Sequence, residues 1–127
     1  MDDALTNTVI GYAIQVHKAL GPGLLENAYK QCLFHKLSTE GLFVELEKDM
    51  PICFEGIRID CGYRIDVLVE RQLVVELKSV KTLDDIHLAQ MLTYLKLGNY
   101  QRGLLINFNV PLLKDGIKRV INGYQAG

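Results

Sequence analysis

The chain has 127 residues, a length that fits one domain able to bury its own core. Hydrophobic residues make up 49% and charged residues 23%, which argues against disorder, and a net charge of −1 excludes a strongly basic nucleic-acid binder or an acidic tail. No apolar run approaches the roughly 18 residues that cross a bilayer, and the acidic start Met1-Asp2-Asp3 is wrong for a secretory leader, so a cytoplasmic protein with no membrane partner is expected.

Residues 5–20 read as a helix, with Val9, Ala13, Val16 and Leu20 at helical spacing. Asp2 and Asp3 suit its N-terminal dipole and Gly21 its stop. A second helix is predicted over 24–37, with Leu25, Ala28, Tyr29, Cys32 and Leu33 as its apolar stripe. The period then changes to two. Residues 43–48 alternate, Pro51 breaks the run, and 52–54 and 57–61 flank a turn at Glu55-Gly56. Residues 63–69 and 73–80 are the strongest strands and should pair as an antiparallel hairpin. Thr82-Leu-Asp-Asp85 resembles a capping box for a third helix that runs to Leu97. That helix is apolar nearly all round, so burial on two sides is expected, the second by another copy of the chain in a homodimer. Residues 102–108 form a further buried strand, and 112–121 are open between a short helix and a strand. The order predicts one α/β domain over 1–127, a sandwich around a mixed sheet with a parallel crossover through the third helix.

Cys32, Cys53 and Cys61 are odd in number and form no CxxC pair, so a disulfide framework or zinc site is not expected and three small buried residues are. The charge is unevenly spread. Residues 1–63 hold 5 Lys/Arg against 9 Asp/Glu, and residues 64–127 hold 9 against 6, which places an anionic partner on the second half.

Chemistry concentrates in the hairpin. Alternation puts Glu76 and Lys78 on one face of their strand, with Val75 and Leu77 on the opposite, core face. On the preceding strand Ile65, Val67 and Val69 are the expected core set, which leaves Asp66 on the face of Glu76. Opposing Asp66 to Glu76 requires Val69 opposite Leu73 and a three-residue loop, Glu70-Arg-Gln72, or a bulge; a two-residue turn would throw Asp66 onto the wrong face. Paired carboxylates suit a hard divalent cation such as Mg²⁺ or Mn²⁺, and an adjacent lysine can assist water or a pentacovalent phosphate. The plainer reading is a solvated Glu-x-Lys with a cross-strand Asp–Lys pair. Glu26 is either a further ligand leaning into the cleft or a charge at the helix N-terminus. Gln90 and Tyr94, four apart on the third helix, either touch solvent and phosphate or are polar edges of a packed helix. His17 and His87 are open between lining the site and local structural roles. Arg64, Lys81 and Arg102 are candidate phosphate contacts.

Gly23-Leu-Leu-Glu26-Asn-Ala-Tyr29 resembles the signature of the GxxExxY proteins, and so do the preceding Val16-His17-Lys-Ala-Leu-Gly21-Pro-Gly, Tyr63-Arg-Ile-Asp66, Glu76-Leu-Lys78 and 105–119. That family is similar to the RecB-like branch of the PD-(D/E)xK nucleases. The resemblance implies a restriction-endonuclease-like αβββαβ core and a Mg²⁺- or Mn²⁺-dependent nuclease acting on DNA or RNA. It implies Asp66 and Glu76 as metal ligands, Lys78 as the catalytic lysine, Glu26 as the helix glutamate that completes the site, and Gln90 and Tyr94 as a Gln-xxx-Tyr element. Ile65 stands where the superfamily motif has proline. The alternative is a nuclease-fold binding or assembly module with little or no catalysis, for which the near-neutral charge speaks.

Overall fold

The computed structural model describes residues 3–123; Asp2, expected at the first helix dipole, lies outside them. Helix α1 (Ala4–Leu20) buries Val9, Ala13 and Val16, and α2 (Glu26–Thr39) buries Tyr29, Leu33 and Leu37. The buried stripe of α2 thus repeats every four residues, while Leu25 is 81% exposed and Cys32 lies on the solvent side. Strands β1 (Val44–Asp49), β4 (Arg64–Val69) and β5 (Leu73–Lys78) form an antiparallel meander. Between β1 and β4, β2 (Ile52–Phe54) and β3 (Ile57–Ile59) pair as a separate two-stranded arm, closed at its base by the Met50 N–H donating to the Tyr63 carbonyl at 2.9 Å. Cys53 and Cys61 belong to this exposed region, so all three cysteines are exposed and none is the buried apolar residue expected of it.

Helix α3 (Asp85–Gly98) carries the chain back to β6 (Arg102–Asn107), which lies parallel to β5. A single 3₁₀ turn (Leu113–Gly116) and the antiparallel edge strand β7 (Ile117–Ile121) settle the ambiguous C-terminal stretch as both alternatives in succession. The five-stranded sheet has the order β1-β4-β5-β6-β7. This is the expected mixed α/β sandwich, with α1, the arm and β7 added to the αβββαβ core.

Both sheet faces are buried. Val67, Val69, Val75, Leu77, Leu104 and Ile106 pack under α1 and α2. Leu68, Val74 and Leu105 pack under α3 with Met91, Tyr94 and Leu95. Helix α3 is covered on that one side only; Ile86 is 69% exposed, and Leu92 and Leu97 are exposed as well. Its cap also differs from the expected one. Asp84 is the N-cap, and its N–H donates to His87 Nδ1 at 2.9 Å in a reciprocal capping box, so His87 closes the helix end.

Candidate active site

The hairpin has the register that the face argument requires. Val69 opposes Leu73 and Val67 opposes Val75, with Glu70-Arg71-Gln72 as the loop. Glu70 and Arg71 both take positive φ, and the Gln72 N–H returns to the Val69 carbonyl at 3.0 Å, which turns the chain tightly without glycine.

The ladder then opens. Among the β4–β5 pairs none lies beyond Val67↔Val75, and on the other edge the β1–β4 register skips Glu47 and Asp66, where Glu47 has φ 53°. Asp66 is therefore released from ladder pairing on both sides. Its own backbone N–H donates to Glu76 Oε1 at 3.3 Å, and its Oδ2 accepts the Leu77 N–H at 3.0 Å. The two carboxylates supply the partners that the strands no longer give each other, as buried backbone groups demand. The same break turns Ile65 away from Val67 and Val69: it packs with Met50, Leu68 and Tyr94 in the α3-side core, so it is not part of the expected set.

Glu76 is buried on the α3-side face, in line with Val74. Burial foremost, then the charge of Asp66 and a hydrogen bond between the two carboxyls, pushes its acid up to about 9; Lys78 pulls the other way. Tyr94 reaches the same point from α3. Burial and the charges of Glu76, Tyr63 and Asp66 raise its phenol, so it remains a proton donor at ordinary pH, and Gln90 Nε2 donates to its oxygen at 3.3 Å. Lys78, half-buried, pairs with Asn107 across the parallel ladder and makes no ion pair among the described residues.

A residue that the sequence argument overlooked completes the cluster. Lys30 on α2 spans the gap in the β1–β4 ladder, with Nζ 3.0 Å from Glu47 and 3.8 Å from Asp66. Its hydrogen bond holds the Glu47 carboxyl below the usual range. Its signal was available, for Lys30 stands one helical turn beyond Glu26 on the same face.

The signature Gly23-x-x-Glu26-x-x-Tyr29 has a structural core. The Tyr29 hydroxyl donates to the Gly21 carbonyl at 2.5 Å and accepts the Leu24 N–H at 3.1 Å, and its ring stacks on Phe108 at 4.5 Å. The loop is also tied to the end of β5, where Ser79 Oγ donates to the Leu24 carbonyl at 2.6 Å. Gly21 and Gly23 take the positive φ this path needs. Glu26 thus begins α2 at the end of the sheet that carries Lys78, but it is exposed and does not join Asp66 and Glu76: among the described residues no three His, Cys, Asp or Glu side chains converge. His17 is structural, its Nε2 lying 2.8 Å from the Val110 carbonyl and 3.2 Å from that of Phe108.

The candidate phosphate contacts separate. Arg64 is exposed and pairs with Glu47 and Asp49 near Asp66. Lys81 follows β5 and is unpaired among the described residues. Arg102 stands apart from the others: it opposes Leu73, about 16 Å of strand from Lys78, and Asp3 holds it at 2.9 Å beside Arg119 at 2.8 Å. It locks α1 to the far end of the sheet.

The donor set can be tested for a cation by its chemistry. Two adjoining carboxyls offer only oxygen, and burial together with the charge of Asp66 disfavours ionisation of Glu76, a cost that a hard divalent ion would offset. No match emerges among curated proteins or among solved structures. The model of the PD-(D/E)XK nuclease superfamily matches residues 3–120. A carboxylate pair at the mouth of an opened hairpin, followed after one residue by lysine, is thus housed in a chain that belongs to the PD-(D/E)XK nuclease superfamily.

Proposed function

We propose that the protein is a nuclease that hydrolyses phosphodiester bonds of DNA or RNA with the help of Mg²⁺ or Mn²⁺, and that it belongs to the GxxExxY group near the RecB-like branch. The observation that carries this reading is the Asp66–Glu76 pair, set at the point where the hairpin opens, with Lys78 one residue on from Leu77. Asp66 and Glu76 would hold the cation, and Glu26 would join them by a side-chain rearrangement from its exposed position. The ion supplies acidity to water and neutralises charge on phosphate.

The chain's own groups do the rest. Lys78 orients the attacking water and offsets negative charge at the pentacovalent phosphate. Tyr94, held by Gln90 and kept protonated, donates a hydrogen bond to solvent or to a phosphate oxygen. Burial of Glu76 removes competing water from one side of the pair. Arg64 and Lys81 lie at the margins for backbone contacts. The exposed apolar side of α3 suits a homodimer in the cytoplasm.

Cleavage of single-stranded, duplex and branched oligonucleotides with and without Mn²⁺ tests the reading. Glu76→Ala and Lys78→Ala should abolish metal-dependent cleavage, and full activity in both would overturn it. One observation favours the binding-module alternative: Lys30 already lies beside Asp66 and holds the neighbouring carboxylate, Glu47, more closely still. Titration calorimetry decides, because that alternative requires no Mn²⁺ binding at millimolar metal.

A further inference from the structure

Beyond the carboxylate pair, the α3-side face of the sheet continues across β6 to β7. Alternation places Lys78, Asn107 and Lys118 on this face: Lys78 pairs with Asn107, while Lys118 pairs with Leu105, which packs under α3. At the ends of these strands lies a cleft of about 240 Å³ with mixed polar and apolar walls, lined by Lys81, Thr82, Asn107, Asp115, Gly116 and Lys118 among others.

Its floor is fixed. Asn107 is 2% exposed and its amide is held by three hydrogen bonds: Oδ1 accepts the N–H groups of Val80 and Asn109, each at 3.1 Å, and Nδ2 donates to the Val80 carbonyl at 3.0 Å. Gly116 lies so close that a Cβ there would collide with the Asn107 carbonyl oxygen. The charged groups at the rim are, by contrast, uncommitted. Neither Lys81 nor Lys118 forms an ion pair among the described residues, even with Asp115 at the same mouth. Two free ammonium groups over this fixed floor, Lys81 three residues beyond Lys78 and Lys118 on β7, two strand spacings or about 10 Å from β5, form a site for a chain of phosphates.

We propose that this cleft is a phosphate subsite, in which Lys81 and Lys118 grip the nucleic-acid backbone next to the phosphate presented to Lys78. The polynucleotide then crosses the sheet from β5 toward the β7 edge, and Thr82 offers a hydroxyl to the same backbone. The inference rests on the nuclease reading of the carboxylate pair and adds where the uncleaved part of the substrate lies.

The test is fluorescence anisotropy of the full chain with a fluorescein-labelled single-stranded oligonucleotide in EDTA, over a series of salt concentrations. Lys81→Ala/Lys118→Ala should weaken binding at least tenfold at low salt and flatten the slope of log K against log salt by about 1.4, as expected for two lost phosphate contacts. It should also raise KM for cleavage more than it lowers kcat. Lys18→Ala/Lys96→Ala removes equal charge elsewhere and should leave the slope unchanged, whereas Lys81→Arg/Lys118→Arg should keep it near wild type. If the alanine pair and the Lys18/Lys96 control behave alike while the wild type binds and cleaves, the subsite is wrong and the nuclease reading stands. A wild type that neither binds nor cleaves any oligonucleotide overturns the nuclease reading and the subsite with it.

Discussion

Asp66 and Glu76 each take a backbone N–H from the strand that carries the other. The exchange gives these carboxyls a structural role beside the metal-binding one proposed for them, and the two roles separate by substitution. Asp66→Ala leaves the Leu77 N–H without its partner and should cost about 1–3 kcal/mol in urea denaturation. Asp66→Asn keeps an acceptor in place and should fold nearly as stably, yet lose Mn²⁺ binding in calorimetry. Equal stability of the two variants would show that this hydrogen bond contributes little.

Glu76 gives the metal-free protein a pH signature. In the unfolded chain its acid ionises near the ordinary 4.5, and in the fold only near 9. Between those values the folded state retains a proton that the unfolded state has released, so stability falls as pH rises. Thermal melting in EDTA should drop by several degrees from about pH 5 to about pH 9, and Glu76→Gln should flatten the dependence. Saturating Mn²⁺ should also flatten it by stabilising the ionised pair. A melting curve for the wild type as flat as that of Glu76→Gln would contradict this account.

Lys30 competes for Asp66. Its ammonium sits 3.8 Å from one carboxylate oxygen while bonding Glu47 more closely. Lys30→Met should tighten Mn²⁺ binding by about fivefold, the scale of a partly exposed ion pair. Weaker binding in the variant would mean that Lys30 holds Asp66 in its ligating orientation instead.

Tyr29 is expected to matter for folding more than for chemistry. Tyr29→Phe keeps the stack on Phe108 and loses two hydrogen bonds to the Gly21–Leu24 loop. Unfolding free energy should fall by about 1–3 kcal/mol. Cleavage should decline only as far as Glu26, which follows that loop, is displaced; complete inactivity of a well-folded variant would assign the hydroxyl a direct role.

The hairpin register was legible because a common face for Val67, Val69, Val75 and Leu77 rules out odd shifts, and Asp66 opposite Glu76 then selects the register with Val69 opposite Leu73. What pattern alone did not show was the break at Glu47 and Asp66, since a positive φ at a glutamate carries no compositional mark. For that reason alternation alone groups Ile65 with Val67 and Val69, whereas it packs in the α3-side core. Arg102 looked available because its partner Asp3 lies 99 residues away in sequence. The exposure of Cys32 was hidden by counting it into a stripe whose true repeat, Tyr29, Leu33 and Leu37, passes beside it.

The β2–β3 arm leaves the sheet between two strands that are already neighbours and is closed at its base by one backbone bond, from Met50 to Tyr63. Its link to the site runs through that base alone, where the Tyr63 ring lies 6.1 Å from that of Tyr94. A shorter, longer or differently charged arm would keep the β1–β4 ladder in register. The arm is therefore an appendage whose strands can be exchanged while the sheet that carries Asp66 and Glu76 keeps its order.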